Sequence, residues 1–195
     1  LLACAFLSNP TVPRADLHRL ARRVYPYAAD EYFLRWTEQE VPAVVDELLE
    51  DLMNHGLLTA SEDRSVWHRP PAESSEAVQL SILAQATVPI LERYYLALAL
   101  LLKAGSGRLT PEALERQCEL MAQRMALLYE INSPEFFDRA LFRNFVEQLR
   151  SRGVLTLTGE EKIAFDPAMI EAIVADAQTV LNEQVRNSIL QVVHR

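Results

Sequence analysis

Glycine is scarce in this sequence, at five residues in 195, and three of the five (Gly56, Gly153 and Gly159) fall where turns are expected. Nucleotide-binding loops need several glycines close together so that backbone amides can reach phosphate. No P-loop or G-x-G-x-x-G is present. Cysteine is scarcer still. Cys4 and Cys118 form no C-x-x-C pair and have no metal-ligand spacing with a histidine. They read as two small apolar residues of a reducing compartment. The four histidines, His18, His55, His68 and His194, make no H-E-x-x-H, and there is no G-x-S-x-G. A long uncharged apolar run is missing too. The most apolar stretch, Val88–Leu102, is broken by Glu92 and Arg93, which leaves nine residues after Arg93. A membrane-spanning helix needs about 20, so this stretch is expected to be a buried core helix. Basic charge is in deficit. The net charge is −8 and the pI about 5.1, a poor match to a nucleic-acid backbone and repulsive to acidic partners.

What remains is ordinary globular composition, 50% hydrophobic and 24% charged, enough for one buried core or two small ones. The opening LLACAFLSNP carries no initiating Met and no charged leader, and its apolar part is too short for a signal peptide. It is expected to be the last turns of a helix, with the chain a fragment of something longer.

The pattern is mostly helical. A helix is expected from Pro13 to Tyr25 and a short aromatic one over Tyr27–Trp36. T-E-Q-E at Thr37–Glu40 is a capping box that opens the next helix. Val41, Val44, Val45, Leu48, Leu49 and Leu52 form its apolar stripe, and Gly56 ends it in a left-handed C-cap. LLTASEDRSVWHRP then reads as a small hairpin. The second half repeats this order: a helix over Leu109–Tyr129 with Thr110 as cap, another started by Ser133 and Pro134, Gly153 as its stop, and VLTLTGEEKIAFDP as a second hairpin. A final helix is expected from about Pro167 to the end. Gly56 and Gly153, Leu17 and Leu114, and Leu52 and Leu149 each lie 97 positions apart. The expected fold is therefore mainly α with two short β-hairpins: tandem duplicated winged-helix-like units joined by a long shared helix. The expected domains are residues 1–72, a linking helix at 73–103, and residues 104–195 with the C-terminal helix.

In a winged helix, the helix before the hairpin is the one that enters a DNA groove. Here that helix, Glu38–His55, carries six acidic residues and no Lys or Arg, so nucleic-acid binding is not expected. One spacing hints at chemistry, His68 followed five residues later by Glu73. It crosses a Pro-Pro loop, and the bland reading is a wing histidine and a helix start. Laid on the first repeat, Phe136 of SPEFFDRALF falls on the polar Gln39, and Phe142 falls on Val45 of the stripe. Phe142 is therefore expected in the core. Phe136, with Phe137 beside it, is the expected contact surface.

Several of these stretches carry a family likeness. Tyr25-Pro26, EYFLRW at Glu31–Trp36, Glu40–Asp46, HGLLT at His55–Thr59, YEINSPEFFDRALF at Tyr129–Phe142 and LR-x-x-G at Leu149–Gly153 follow one another in order. The chain resembles the C-terminal region of bacterial membrane-associated glycerol-3-phosphate acyltransferases of the PlsB type. The resemblance implies a parent enzyme that moves an acyl group from acyl-CoA or acyl carrier protein to sn-glycerol 3-phosphate. The product would be lysophosphatidate, for phospholipid synthesis, made at the cytoplasmic face of the bacterial inner membrane. The family's catalytic His-x-x-x-x-Asp lies in an upstream acyltransferase domain, and no position here matches it. No catalytic, cofactor-binding or metal-binding residue is carried over, and no cofactor is expected. The implied partner is the upstream domain of the same chain, and acyl carrier protein, itself acidic, is expected to dock elsewhere on the parent. The alternative is a free-standing winged-helix-like module for protein or DNA contacts.

Overall fold

The computed structural model describes residues 1–129 and 134–194. The chain is mainly helical with two small antiparallel sheets. It forms two compact units, Leu1–Val88 with Thr179–Asn182, and Pro89–Gln178 with Glu183–Arg195.

In the first unit α1 (Leu2–Ser8) buries five consecutive residues, Leu2 to Phe6. A helix with no polar side must be covered all round. Asn9 closes it, its side-chain amide donating to the Ala5 carbonyl at 2.7 Å and to the Thr179 carbonyl at 2.9 Å. The short strand β1 (Thr11–Pro13) follows, and then α2 (Arg14–Glu31). The sequence suggests a break near Pro26, with a separate helix over Tyr27–Trp36. Instead α2 runs through Pro26 and stops at Glu31. Leu17, Leu20, Ala21 and Ala28 are buried on both sides of the proline, and that continuous packing offsets the missing N–H.

Thr37 and Glu40 do pair. The Thr37 N–H and hydroxyl both donate to the Glu40 carboxylate at 2.7 Å. Regular helix begins only at α3 (Val41–Asn54), with Pro42 in its first turn. Val41, Val45 and Leu49 are its buried face, while Leu48, expected in the stripe, is exposed. At its end the Gly56 N–H donates to Met53, the Leu57 N–H donates to Leu52, and Gly56 takes φ +73°. This is the left-handed stop that glycine accepts without a steric penalty.

The hairpin follows as expected. Strand β2 (Thr59–Ala60) pairs antiparallel with β3 (Val66–His68), placing Thr59 opposite His68 and Ala60 opposite Trp67. Its turn is organised by Asp63, whose carboxylate accepts from the Ser61 hydroxyl and from the Ser65 N–H and hydroxyl; these donors hold its carboxyl down at about 2. Strand β1 joins the other edge of β3, with Val12 opposite Trp67, so the sheet has three strands rather than two.

Residues 73–103 were expected to form one helix. They form α4 (Ser75–Gln85) and α5 (Val88–Ala104). Pro89 has no N–H to donate back to Gln85, which weakens the ladder here, and it sits instead in the first turn of α5, where no such donor is needed. Ser74, not Glu73, caps α4, accepting the Ala77 N–H at 3.1 Å.

In the second unit α5 is the buried core helix that Val88–Leu102 suggested, with Ile90, Leu91 and every residue from Leu96 to Leu101 inside. Tyr94 stacks on Phe145, centroids 4.0 Å apart and planes within 9°. Thr110 caps α6 (Pro111–Tyr129), accepting the Ala113 N–H. The expected cap at Ser133 lies outside the described residues. Pro134–Phe137 is a single 3₁₀ turn, and α7 (Arg139–Ser151) starts on Asp138, which accepts the Ala140 N–H at 2.8 Å. Gly153 ends α7 with φ +72°. Strands β4 (Thr156–Leu157) and β5 (Ile163–Ala164) make the second hairpin. The expected final helix is two, α8 (Pro167–Val180) and α9 (Glu183–His194). The Lys103 ammonium donates to the Val193 carbonyl and so ties α9 to α5.

Local details recur at the 97-residue spacing. Gly153 and Val154 donate to Arg150 and Leu149, as Gly56 and Leu57 do to Met53 and Leu52. Arg64 and Glu161, also 97 apart, both take left-handed φ near +55° in the hairpin turns. Gly107 and Leu109 bond the backbone of Ile163, in the place that β1 takes beside β3. His18 pairs with Asp46 at 2.7 Å, and their counterparts Glu115 and Arg143 pair at 3.2 Å. The acidic partner lies on α3 in the first pair and on α6 in the second.

Glu115 is the buried charge of the second unit. Its side chain is 5% exposed and accepts from Arg139 Nε and Arg143 Nε, both at 3.2 Å. Burial, aided by the Glu115 charge, pushes the neighbouring Cys118 thiol far up, so it is not a nucleophile. Replacing both arginines with methionine strands the carboxylate and should lower stability by ~3 kcal/mol, with Glu115→Met in the same background recovering most of it. Urea denaturation of the two variants beside the unaltered protein checks this.

Glu92 on α5 supplies a second expectation. Burial pushes its carboxyl up to about 7, against the pull of Arg93. The folded state thus keeps a proton that the unfolded state releases near 4.5. Its contribution to stability is full below that value and is lost as pH rises towards 7. In Glu92→Gln the difference between urea midpoints at pH 5 and pH 8 should shrink.

Candidate functional site

The expected contact surface is only partly available. Phe136 is 0% exposed and Phe137 half-buried. The expectation placed both rings on an α-helix running on from Ser133. The 3₁₀ turn instead advances about 120° per residue and packs against α6. Its rings are therefore not in register with the face of α7, and Phe136 turns inward. Phe142 is buried, as the repeat suggested.

His68 and Glu73 do not come together as a catalytic pair. The His68 Nδ1 lies 3.1 Å from the Thr11 hydroxyl, across the β1–β3 pairing, and Glu73 is exposed in the turn before α4. Two other histidines have structural partners: His18 faces Asp46, and His55 faces the Asp51 carbonyl at 2.8 Å. Cys4 is buried, with its sulfur 3.5 Å from the Ala84 carbonyl. Among the described residues, no group of three or more His, Cys, Asp or Glu side chains could hold a metal ion.

The charged clusters are self-satisfied. Asp46 accepts from Arg14 Nε at 2.8 Å and faces His18, and these partners, Arg14 first, hold its carboxyl below the usual range. Arg139 and Arg143 are committed to Glu115. A shallow open groove of about 520 Å³ runs along α9, lined by Glu183, Gln184, Asn187, Ser188 and Gln191. It offers amides, one hydroxyl and one carboxylate, with no cation for a phosphate and no base beside the hydroxyl.

Exposed apolar side chains are what the sequence reading missed. Phe33 is 92% exposed, and α4 exposes Val78, Ile82 and Leu83; α6 exposes Leu120, Leu127 and Leu128. A signal for α4 was present: its only charged residue is Glu76, so it has no polar side to turn to water. No helix among the described residues is long and apolar enough to cross a membrane.

Comparison with known proteins gives these surfaces a context. The family model described as the glycerol-3-phosphate acyltransferase C-terminal region matches residues 1–158. A glycerol-3-phosphate acyltransferase of Pseudomonas entomophila is 40% identical over the whole of this chain. Those of Pseudomonas paraeruginosa and Pseudomonas fluorescens are 41% and 39% identical over 98% and 100% of it. The chain spans about 23% of the length of these relatives and matches their C-terminal part. No solved structure matches. On a family match over 158 residues and on relatives that align with nearly every residue, the chain belongs to the C-terminal region of the glycerol-3-phosphate acyltransferases.

Proposed function

We propose that this chain is the non-catalytic C-terminal region of a glycerol-3-phosphate 1-O-acyltransferase, and that it supports an upstream catalytic domain. That domain would acylate sn-glycerol 3-phosphate from acyl-CoA or acyl carrier protein at the cytoplasmic face of the bacterial inner membrane. The observation that carries this reading is the match to the C-terminal 23% of enzymes bearing that name. The described residues fit it: His68 lies against the Thr11 hydroxyl, Glu73 stands exposed in the turn before α4, and Cys4 and Cys118 are buried.

The two units descend, on this reading, from one winged-helix-like ancestor. The support is the paired geometry at the 97-residue spacing: two left-handed glycine stops, two left-handed hairpin residues and one ion pair kept with its acidic end moved. Ion-pair positions that survive an exchange of sides are hard to reach independently.

Removing the region from the full-length protein tests its role. Acyl transfer to glycerol 3-phosphate in membranes should fall at least 100-fold, and the 195-residue chain alone should transfer nothing. Full activity without the region would overturn the support role, and activity in the isolated chain would overturn its non-catalytic character. A finer expectation concerns the acidic face of α3. Reversing the exposed Glu47 and Asp51 to lysine should leave carrier-dependent turnover unchanged, since an acidic carrier gains nothing from docking there.

A further inference from the structure

Beyond Glu76 in its first turn, the outer face of α4 is uncharged. Val78, Ile82 and Leu83 are 56%, 66% and 49% exposed, with Ser75, Gln79 and Gln85 between and beside them. The opposite side, Leu80 and Ala84, is buried against the first unit's core. A helix apolar on both sides is the pattern of a helix that is covered on both sides.

A second feature lies at the same end of α4. The Tyr32 hydroxyl donates to the Ala86 carbonyl at 2.6 Å, which brings the turn after α2 to the α4 C-terminus. The next residue in that turn is Phe33, with φ +53° and 92% exposed. Left-handed backbone is costly for a bulky residue, and in this unit the ring gains no burial in return. Strain of this kind persists where something else makes use of it.

A third feature says what would cover this surface. The Leu1 nitrogen donates to the Thr87 hydroxyl at 3.2 Å. Polypeptide preceding Leu1 therefore arrives at the C-terminal end of α4, beside Ile82, Leu83 and the Phe33 turn. The relatives carry about three-quarters of their length ahead of this region. A segment tethered there samples the α4 face at high effective concentration. A neutral apolar face selects an apolar segment rather than a charged one.

We propose that the α4 face with Phe33 is the docking surface for the upstream part of the same polypeptide, with Phe33, Val78, Ile82 and Leu83 as its contacts. This rests on the reading of the chain as the C-terminal region of a longer acyltransferase, and it specifies which surface that domain meets.

The experiment uses the full-length protein in its membranes. A benzophenone amino acid replaces Phe33 or Ile82, with Glu62 in the exposed hairpin turn as control, and irradiation is followed by mass spectrometry. The expected result is intrachain crosslinks from 33 and 82 to residues ahead of Leu1, and none from 62. Ile82→Glu in the same protein should cut the yield from position 33 at least fivefold. Crosslinks to lipid, to a second copy, to another protein, or to nothing would each overturn the proposal. Failure of the broader reading looks different: intrachain crosslinks would form, yet removal of the region would leave acyl transfer intact.

Discussion

Each unit depends on how one helix ends. α3 and α7 both stop on a glycine with φ near +72°, and in both the next amide folds back onto the carbonyl five residues earlier. This does two things at once. It satisfies carbonyls that the helix end would leave without donors. It also sends the chain back under the last turn, so that Leu58 and Leu155 are buried and a strand can start one residue later. No atom lies within 4 Å of a Cβ placed on either glycine. The requirement is for backbone conformation, not space, and any other residue would carry the cost of the left-handed region.

The helix pair ahead of each glycine is held by an ion pair whose setting differs between units. In the first, Asp46 is partly exposed and shares Arg14 and His18. In the second, Glu115 is nearly sealed and draws on two arginines. Charge buried that deeply needs its partners in place, because a lone carboxylate there has neither water nor a cation. Two half-exposed arginines supply that compensation while keeping much of their own hydration. The first unit thus has a loose surface pair, and the second a committed one at positions 97 residues further on.

How much of this could be read from the residues follows from the range of each interaction. Glycine stops, the Thr110 cap and both hairpins are local, and their sequence signals were sufficient. The buried helix α5 was legible from apolar density alone. What escaped depends on neighbours distant in sequence or on backbone detail. Strand β1 is three residues long, ends in proline and exists because β3 offers it an edge. Pro26 reads as a helix end, yet the buried face of α2 carries the helix through it. The ring of Phe136 faces inward because a 3₁₀ turn, not an α-helix, leads into α7, and periodicity of 3.6 placed it on the wrong side. For the candidate site the imbalance was sharper. The sequence offered no catalytic motif and pointed to Phe136 for contact, a ring that the fold buries.

The burial of Phe136 has a physical lesson about where contact surfaces are found. Aromatic density marks places where apolar area is concentrated, and in a folded unit most such area is spent on the core. An interaction surface is better marked by apolar residues that the fold fails to bury. α4 meets that standard because Leu80 and Ala84 already fill its inner side, leaving Val78, Ile82 and Leu83 unused. Phe33 meets it more strongly, since its backbone carries a steric cost that the unit itself does not recover. A region without reacting groups can still determine whether an enzyme works, provided it holds the reacting part in place, and uncharged surface beside the point of covalent attachment is suited to that task.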